Sequence, residues 1–191
     1  MSNNDSLHER GNALENQFFA SLDAKLLEEL KVKQEHQGML AEFSRISGVK
    51  DTNILESIIK LGVNPQSFAA LRVFPLVAVA WADGVLDEAE RATVTSIAST
   101  HFMLKSSPSG QLLESWLKQK PSSEMFATWE AYAKSLVSSL SANDAAELKK
   151  SIVNEIQTVA STSGGLLGWA AVSSGENQAL KRIESALTKA A

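Results

Sequence analysis

The chain has 191 residues, of which 44% are hydrophobic and 21% are charged, a balance that is ordinary for a globular protein and excludes disorder throughout. Its formal net charge of −4 provides no wide basic field for phosphate backbones, so we expect no nucleic-acid partner. The sequence contains no cysteine, which excludes disulfides, thiolate metal sites and cysteine nucleophiles.

The first part of the chain is predicted to be a long amphipathic helix. Its large apolar residues recur at helical spacing, namely Leu7, Leu14, Phe18, Leu22, Leu26 and Leu30. Charged residues of both signs lie between them, which favours a protein partner or self-association over a lipid surface. Gly38 is the first weak point of this helix, and Gly48 with Asp51 marks a clear break. We therefore predict an arm over residues 1–50 and a helical domain over residues 51–191.

Two features of the sequence bear on location. The six N-terminal residues have neither a basic start nor an apolar stretch, so no secretory signal is visible and a cytoplasmic location is predicted. The most apolar run, residues 73–82, has about half the length that a membrane-spanning helix needs, and Pro75 interrupts it. We therefore predict a buried core helix there and no transmembrane segment.

Helix signals recur at short intervals along the rest of the chain. Gly62 ends a short helix, and Asn64-Pro65 is predicted to start the next one, because asparagine caps well and proline suits a first helical turn. Further breaks or helix starts are predicted at residues 106–110, 120–122, 141–144 and 164–168. No segment gives a convincing run of alternating strand residues. The predicted fold class is all-α, an irregular bundle of about seven or eight helices.

An acidic segment, residues 82–91, joins the buried helix to a polar one and places four carboxylates within eight residues. Oxygen ligands are those that Ca²⁺ and Mg²⁺ prefer, and Asp83, Asp87 and Glu90 could converge on such an ion. The segment is not an EF-hand, because a calcium loop starting at Asp83 requires glycine and glutamate where this chain has Glu88 and Val94.

The same carboxylates have a second interpretation. Asp87 followed three residues later by Glu90 is the pattern of a capping box, in which each side chain accepts a hydrogen bond from a free backbone N–H group. Acidic residues also suit the positive end of a helix. Capping and cation binding are therefore both open at this stage, and the two can coexist.

Residues 80–90, Ala-Trp-Ala-Asp-Gly-Val-Leu-Asp-Glu-Ala-Glu, resemble an element of TerB-like proteins, the tellurite-resistance family. That element is A-x-A-D-G, with a hydrophobic residue two positions and a glutamate six positions after the glycine. The resemblance spans residues 65 to 190 and implies a TerB-like fold with a pseudo-duplicated helix-loop-helix. The counterpart lies at residues 160–176, where Ser173 and Glu176 correspond to Asp87 and Glu90.

The resemblance implies a non-enzymatic stress protein, of the tellurite-resistance type, that binds a divalent cation such as Ca²⁺ or Mg²⁺. The implied ligands are Asp83, Asp87, Glu90 and Glu176. The second half departs from the family pattern, because it has no Asp-Gly pair and Glu176 is its only obvious carboxylate. The alternative is a protein-interaction module that acts through the N-terminal helix and binds no metal.

Nothing in the sequence predicts catalysis. The three histidines, His8, His36 and His101, are scattered along the chain, and His101 is interpreted as a helix cap or a surface residue. No serine lies in a nucleophile elbow, and no glycine-rich loop ends in the Lys-Ser or Lys-Thr pair of a phosphate-binding loop. We therefore predict that the chain is not an enzyme.

Overall fold

The computed structural model describes residues 3–163 and 174–189, apart from the side chains of residues 3–16 and 163. These residues form eight α-helices and no strand, which confirms the predicted all-α bundle. The helices are α1 (Asn3–Ser47), α2 (Thr52–Lys60), α3 (Ala70–Ala80), α4 (Glu88–Thr100), α5 (Pro108–Lys118), α6 (Ser123–Ser139), α7 (Ala142–Ser163) and α8 (Ser174–Ala186). In the described ranges, none of them has both the length and the apolar character needed to cross a bilayer.

The chain divides into two compact units, residues 1–41 and residues 42–191. The first unit, in its described part, consists of the first ten turns of α1. The last turns of α1 belong to the second unit, where Phe43 and Ser47 are buried. We refer to the first unit as the arm and to the second as the bundle.

Helix α1 runs through one predicted break and ends at the other. It continues past Gly38, because a single glycine inside a helix costs only about 1 kcal/mol relative to alanine and leaves the hydrogen-bond ladder intact. It ends before Gly48, whose φ of 71° is a left-handed conformation that glycine adopts without strain. The clear break predicted at Gly48 is therefore confirmed, and the weak point at Gly38 does not end the helix.

Helix α3 forms the centre of the bundle and packs against α4, α5, α6, α7 and α8. Its side chains Val73, Leu76 and Val77 are fully buried, as is nearly all of Phe74. The Phe74 ring lies edge-on to Trp116, with centroids 5.3 Å apart, and tilted against Trp129 at 6.2 Å. The prediction of a buried core helix in this segment is confirmed.

Proline lies inside α3 without ending it. Pro75 has no N–H group, so the carbonyl of Leu71, four residues earlier, loses its partner in the helix. The indole Nε1 of Trp129, on α6, donates a hydrogen bond to that carbonyl oxygen at 3.0 Å. Because a buried carbonyl without a partner is costly, this bond allows the helix to pass through the proline.

Local side-chain caps are present at the starts of α5, α6 and α7, whereas one predicted helix start is wrong. Ser107, Ser122 and Ser141 each accept a hydrogen bond from a backbone N–H three residues later, at the starts of α5, α6 and α7. The prediction that Asn64-Pro65 starts a helix is wrong, because residues 65–69 form turns and α3 begins at Ala70. The Asn64 side chain instead closes a turn by accepting a hydrogen bond from the Ser67 backbone N–H at 2.9 Å.

Candidate functional site

The acidic segment forms the connection between α3 and α4. Gly84 has a φ of 95°, which permits the tight turn, and Asp83 Oδ1 accepts a hydrogen bond from the Val85 backbone N–H at 2.9 Å. The Asp83 side chain therefore stabilises its own turn, in the manner of an Asx turn.

The predicted capping box is present at the start of α4. Asp87 Oδ1 accepts a hydrogen bond from the Glu90 backbone N–H at 2.7 Å, and Glu90 Oε2 accepts one from the Asp87 backbone N–H at 3.1 Å. Glu90 is only 5% exposed. The capping interpretation of these two carboxylates is confirmed, and each has at least one oxygen committed to a backbone donor.

The start of α8 lies directly against the acidic segment. A Cβ atom built on Gly175 would lie 2.8 Å from the backbone oxygen of Ala82, so only glycine allows this approach. Glu176, the next residue, is 8% exposed. Tertiary structure therefore brings the first turn of α8 next to the acidic loop, although Ser173 and the glycines at 164 and 165 lie outside the described residues.

The four predicted ligands do not assemble into a metal-binding cluster. In residues 17–162 and 174–189, whose side chains the structure describes, no group of three or more histidine, aspartate or glutamate side chains is placed to hold an ion. Asp83 and Asp87 are exposed, whereas Glu90 and Glu176 are buried. Helix α8, which carries Glu176, lies against the loop that carries Asp83.

One polar network in the bundle was not predicted. Arg72 on α3 makes two 2.9 Å hydrogen bonds to the carboxylate of Glu155 on α7, and His101 Nε2 lies 3.1 Å from the same carboxylate. Ser151 donates a hydrogen bond to Glu155 at 3.2 Å. The serine hydroxyl therefore donates to the carboxylate, whereas in a catalytic triad it donates to the histidine.

The position of His101 agrees with its sequence interpretation. It is the C-terminal cap of α4, with its backbone N–H donating to the Ala98 carbonyl at 3.1 Å. The other two histidines, His8 and His36, lie in the arm, and the His36 side chain is exposed. Tertiary structure therefore pairs His101 with the Glu155 carboxylate.

A cleft of about 290 Å³ opens in the bundle between the end of α3, the α5–α6 connection and the start of α8. Arg182 lies over the Phe126 ring at 4.0 Å from its centroid and makes two hydrogen bonds to Glu130, at 3.1 and 2.6 Å. Sequence reasoning missed this cleft, because its walls come from three separate helices. Its residues are Phe74, Ala78, Trp81, Ala82, Lys120, Pro121, Ser122, Ser123, Phe126, Gly175, Gln178, Ala179 and Arg182.

The arm has the largest set of exposed apolar side chains among the described residues. They are 40% to 66% exposed and comprise Phe18, Phe19, Leu22, Leu26, Leu27, Leu30 and Val32. Charged side chains of both signs lie among them, and all are exposed: Asp23, Lys25, Glu28, Glu29, Lys31 and Lys33. Of the apolar residues predicted to form one side of an amphipathic helix, those whose side chains the structure describes are therefore exposed to solvent, namely Phe18, Leu22, Leu26 and Leu30.

Comparisons with known proteins identify no relative: no family model, curated protein or solved structure matches this chain. The TerB-like resemblance of residues 80–90 therefore stays a prediction.

Proposed function

We propose that this chain is a non-enzymatic assembly protein whose arm associates with the arm of a second copy. The observation that carries this proposal is the exposure of seven large apolar side chains on one stretch of α1. In the described part of residues 1–41, the arm contains no element besides α1 on which these side chains could pack. Exposed apolar patches of this kind are typical of interaction surfaces.

The exposed residues are concentrated on one side of the helix. At about 100° per residue, five of them fall within an arc of about 120°. These five, which we call the apolar stripe, are Phe18, Phe19, Leu22, Leu26 and Leu30. A stripe of this width is the surface that a helix normally buries against a partner.

The charges around the stripe favour a second copy as the partner. Residues 23–33 include three acids and three lysines, so two copies offer each other charges of both signs. A lipid surface or a nucleic acid selects instead for a strong excess of positive charge, which this stretch lacks. The cytoplasmic location predicted from the N-terminus is compatible with this role and stays a prediction.

Two adjacent leucines provide a matched test. We expect Leu26→Ser to raise the dissociation constant of self-association about 100-fold, because a two-fold pair loses two buried leucines at roughly 1.5 kcal/mol each. Leu27→Ser changes a residue that points about 60° outside the stripe, and we expect less than a threefold effect. Sedimentation velocity over a concentration series measures both variants. Equal effects of the two substitutions, or a parent chain that stays monomeric, would contradict the proposal.

A second candidate function is the TerB-like response to a divalent cation. It is favoured by the contact of Gly175 with Ala82, which places the buried Glu176 in the helix that packs on the acidic loop. In this candidate, Asp83 and Asp87 supply the exposed carboxylates. The capping box competes with it, because a carboxylate oxygen that accepts a backbone hydrogen bond is less available to an ion.

Thermal unfolding of metal-stripped protein with Ca²⁺, Mg²⁺, Mn²⁺ or Zn²⁺ tests this candidate. If the loop binds one of these ions, an ion concentration of one hundred times its dissociation constant adds about 2.7 kcal/mol to the stability of the parent. Asp83→Asn and Asp87→Asn should remove that gain, and Asp87→Asn retains a good capping residue, so its metal-free stability changes little. An unchanged midpoint with all four ions would eliminate the candidate.

A further inference from the structure

We infer that the two arms pair in antiparallel orientation, centred near residue 24, so that the partner of each arm is the reversed arm of a second copy. This inference rests on the proposed self-association. It is drawn from the order of apolar and charged side chains along the stripe, all of which the structure describes as exposed.

The apolar side chains are arranged almost symmetrically about residue 24. An antiparallel pair with that centre places Phe18 against Leu30 of the other copy, and Leu22 against Leu26. Each of these contacts then occurs twice, as a two-fold axis requires. With the same centre, Phe19 lies opposite Glu29 of the other copy, so four of the five stripe residues face apolar partners and each Glu29 faces an aromatic ring.

Two charged residues oppose the parallel arrangement. Glu29 and Lys33 fall inside the same arc of about 120° as the apolar stripe. A parallel, in-register pair would place Glu29 against Glu29 and Lys33 against Lys33, and like charges at such contacts are destabilising. Both side chains are exposed in the single chain and would have to be partly desolvated in that pair.

Reversal of one arm removes both like-charge contacts. With the centre at residue 24, the two copies of Lys33 are 18 residues apart along the helix, which corresponds to about 27 Å. The two copies of Glu29 are about 15 Å apart by the same rule. Both separations exceed the Debye length of about 8 Å at physiological ionic strength, so repulsion is largely screened.

The orientation also sets the span of the assembled arms. Ala41, the last residue of the arm, lies 17 residues from the proposed centre. The Ala41 residues of the two copies would therefore be about 51 Å apart along the helix axis, whereas a parallel pair would hold them side by side. The antiparallel pair would thus hold the C-terminal ends of the two arms far apart, whereas a parallel pair would hold them together.

Distances between spin labels distinguish the two orientations. The chain has no cysteine, so Ala24→Cys and Glu35→Cys each carry a single label, and both positions are exposed and point away from the apolar stripe. In an antiparallel pair, the labels at residue 35 are offset by about 33 Å along the axis and those at residue 24 by about zero. We therefore expect a clearly longer distance at residue 35 than at residue 24.

Each outcome of the label experiment has a definite meaning. Equal distances at the two positions would show a parallel pair and overturn the antiparallel inference while leaving self-association intact. Labelled protein that is monomeric in sedimentation and gives no intermolecular distance would overturn the proposed function. Association without a measurable distance at residue 24 would mean that another surface pairs, which overturns both. The Leu26→Ser substitution in each labelled chain is the control and should abolish the distance signal.

Discussion

Replacing Trp129 with phenylalanine is expected to lower the free energy of unfolding by about 2–3 kcal/mol. The substitution removes the indole N–H group that donates a hydrogen bond to the Leu71 carbonyl. Pro75 has no N–H group to replace this donor, and a buried acceptor without a partner costs about 1–3 kcal/mol. The smaller ring adds the cost of a cavity, because Trp129 is only 2% exposed. Urea unfolding followed by far-UV circular dichroism measures the loss.

The role assigned to Pro75 makes a sharper test possible. Pro75→Ala restores an N–H group that can bond the Leu71 carbonyl within the helix, so it should recover about 1 kcal/mol in the Trp129→Phe background. Trp81→Phe is the matched control, because the Trp81 indole donates to a different carbonyl, that of Trp116, at 2.9 Å. Pro75→Ala should not rescue that variant. If the effects of Trp129→Phe and Pro75→Ala simply add, the proposed link between proline and indole is wrong.

Substitution of Gly110 by alanine is expected to destabilise the bundle by about 2–3 kcal/mol. A Cβ atom built there would overlap the backbone carbonyl of Leu104, in the loop before α5, so the loop or the helix has to shift. For a unit of this size the thermal midpoint should fall by about 4–12 °C.

The same substitution at Gly38 is the control for Gly110. A Cβ atom at Gly38 meets nothing within 4 Å, and alanine is the better helix former by about 1 kcal/mol. Gly38→Ala should therefore raise the helix content of the arm or leave it unchanged, as measured by circular dichroism. A Gly110→Ala variant with the parent midpoint would contradict the packing described for the start of α5.

The caps show how far local sequence determines this fold. The side chains of Asp87 and Glu90 bond backbone groups within three residues, so their pattern can be read without knowing the rest of the molecule. The same holds for Ser141, which caps α7. Gly48 ends α1 for an equally local reason, its left-handed backbone.

Local rules fail where a distant residue supplies a missing interaction, or where a turn forms in place of a predicted helix start. Pro75 would normally break or kink a helix, and α3 passes through it because the indole of Trp129 bonds the freed carbonyl. Asn64-Pro65 has a good helix-start pattern, yet the chain forms turns there before α3 begins at Ala70. Sequence periodicity alone predicts neither the continuation of α3 through Pro75 nor the turns that precede Ala70.

The features of the candidate sites also divide into those that local sequence determines and those that depend on contacts between distant residues. The sequence by itself determined the all-α class, the acidic segment with its capping box, and the apolar stripe of the arm, because each depends on spacings within a few turns of one helix. Only the tertiary structure decided that Glu155 joins Arg72 and His101, and that Gly175 places α8 against the acidic loop. It also decided that the stripe is exposed rather than buried. The first two are contacts between residues far apart in the chain, and helical periodicity shows that a face is apolar without showing which surface covers it.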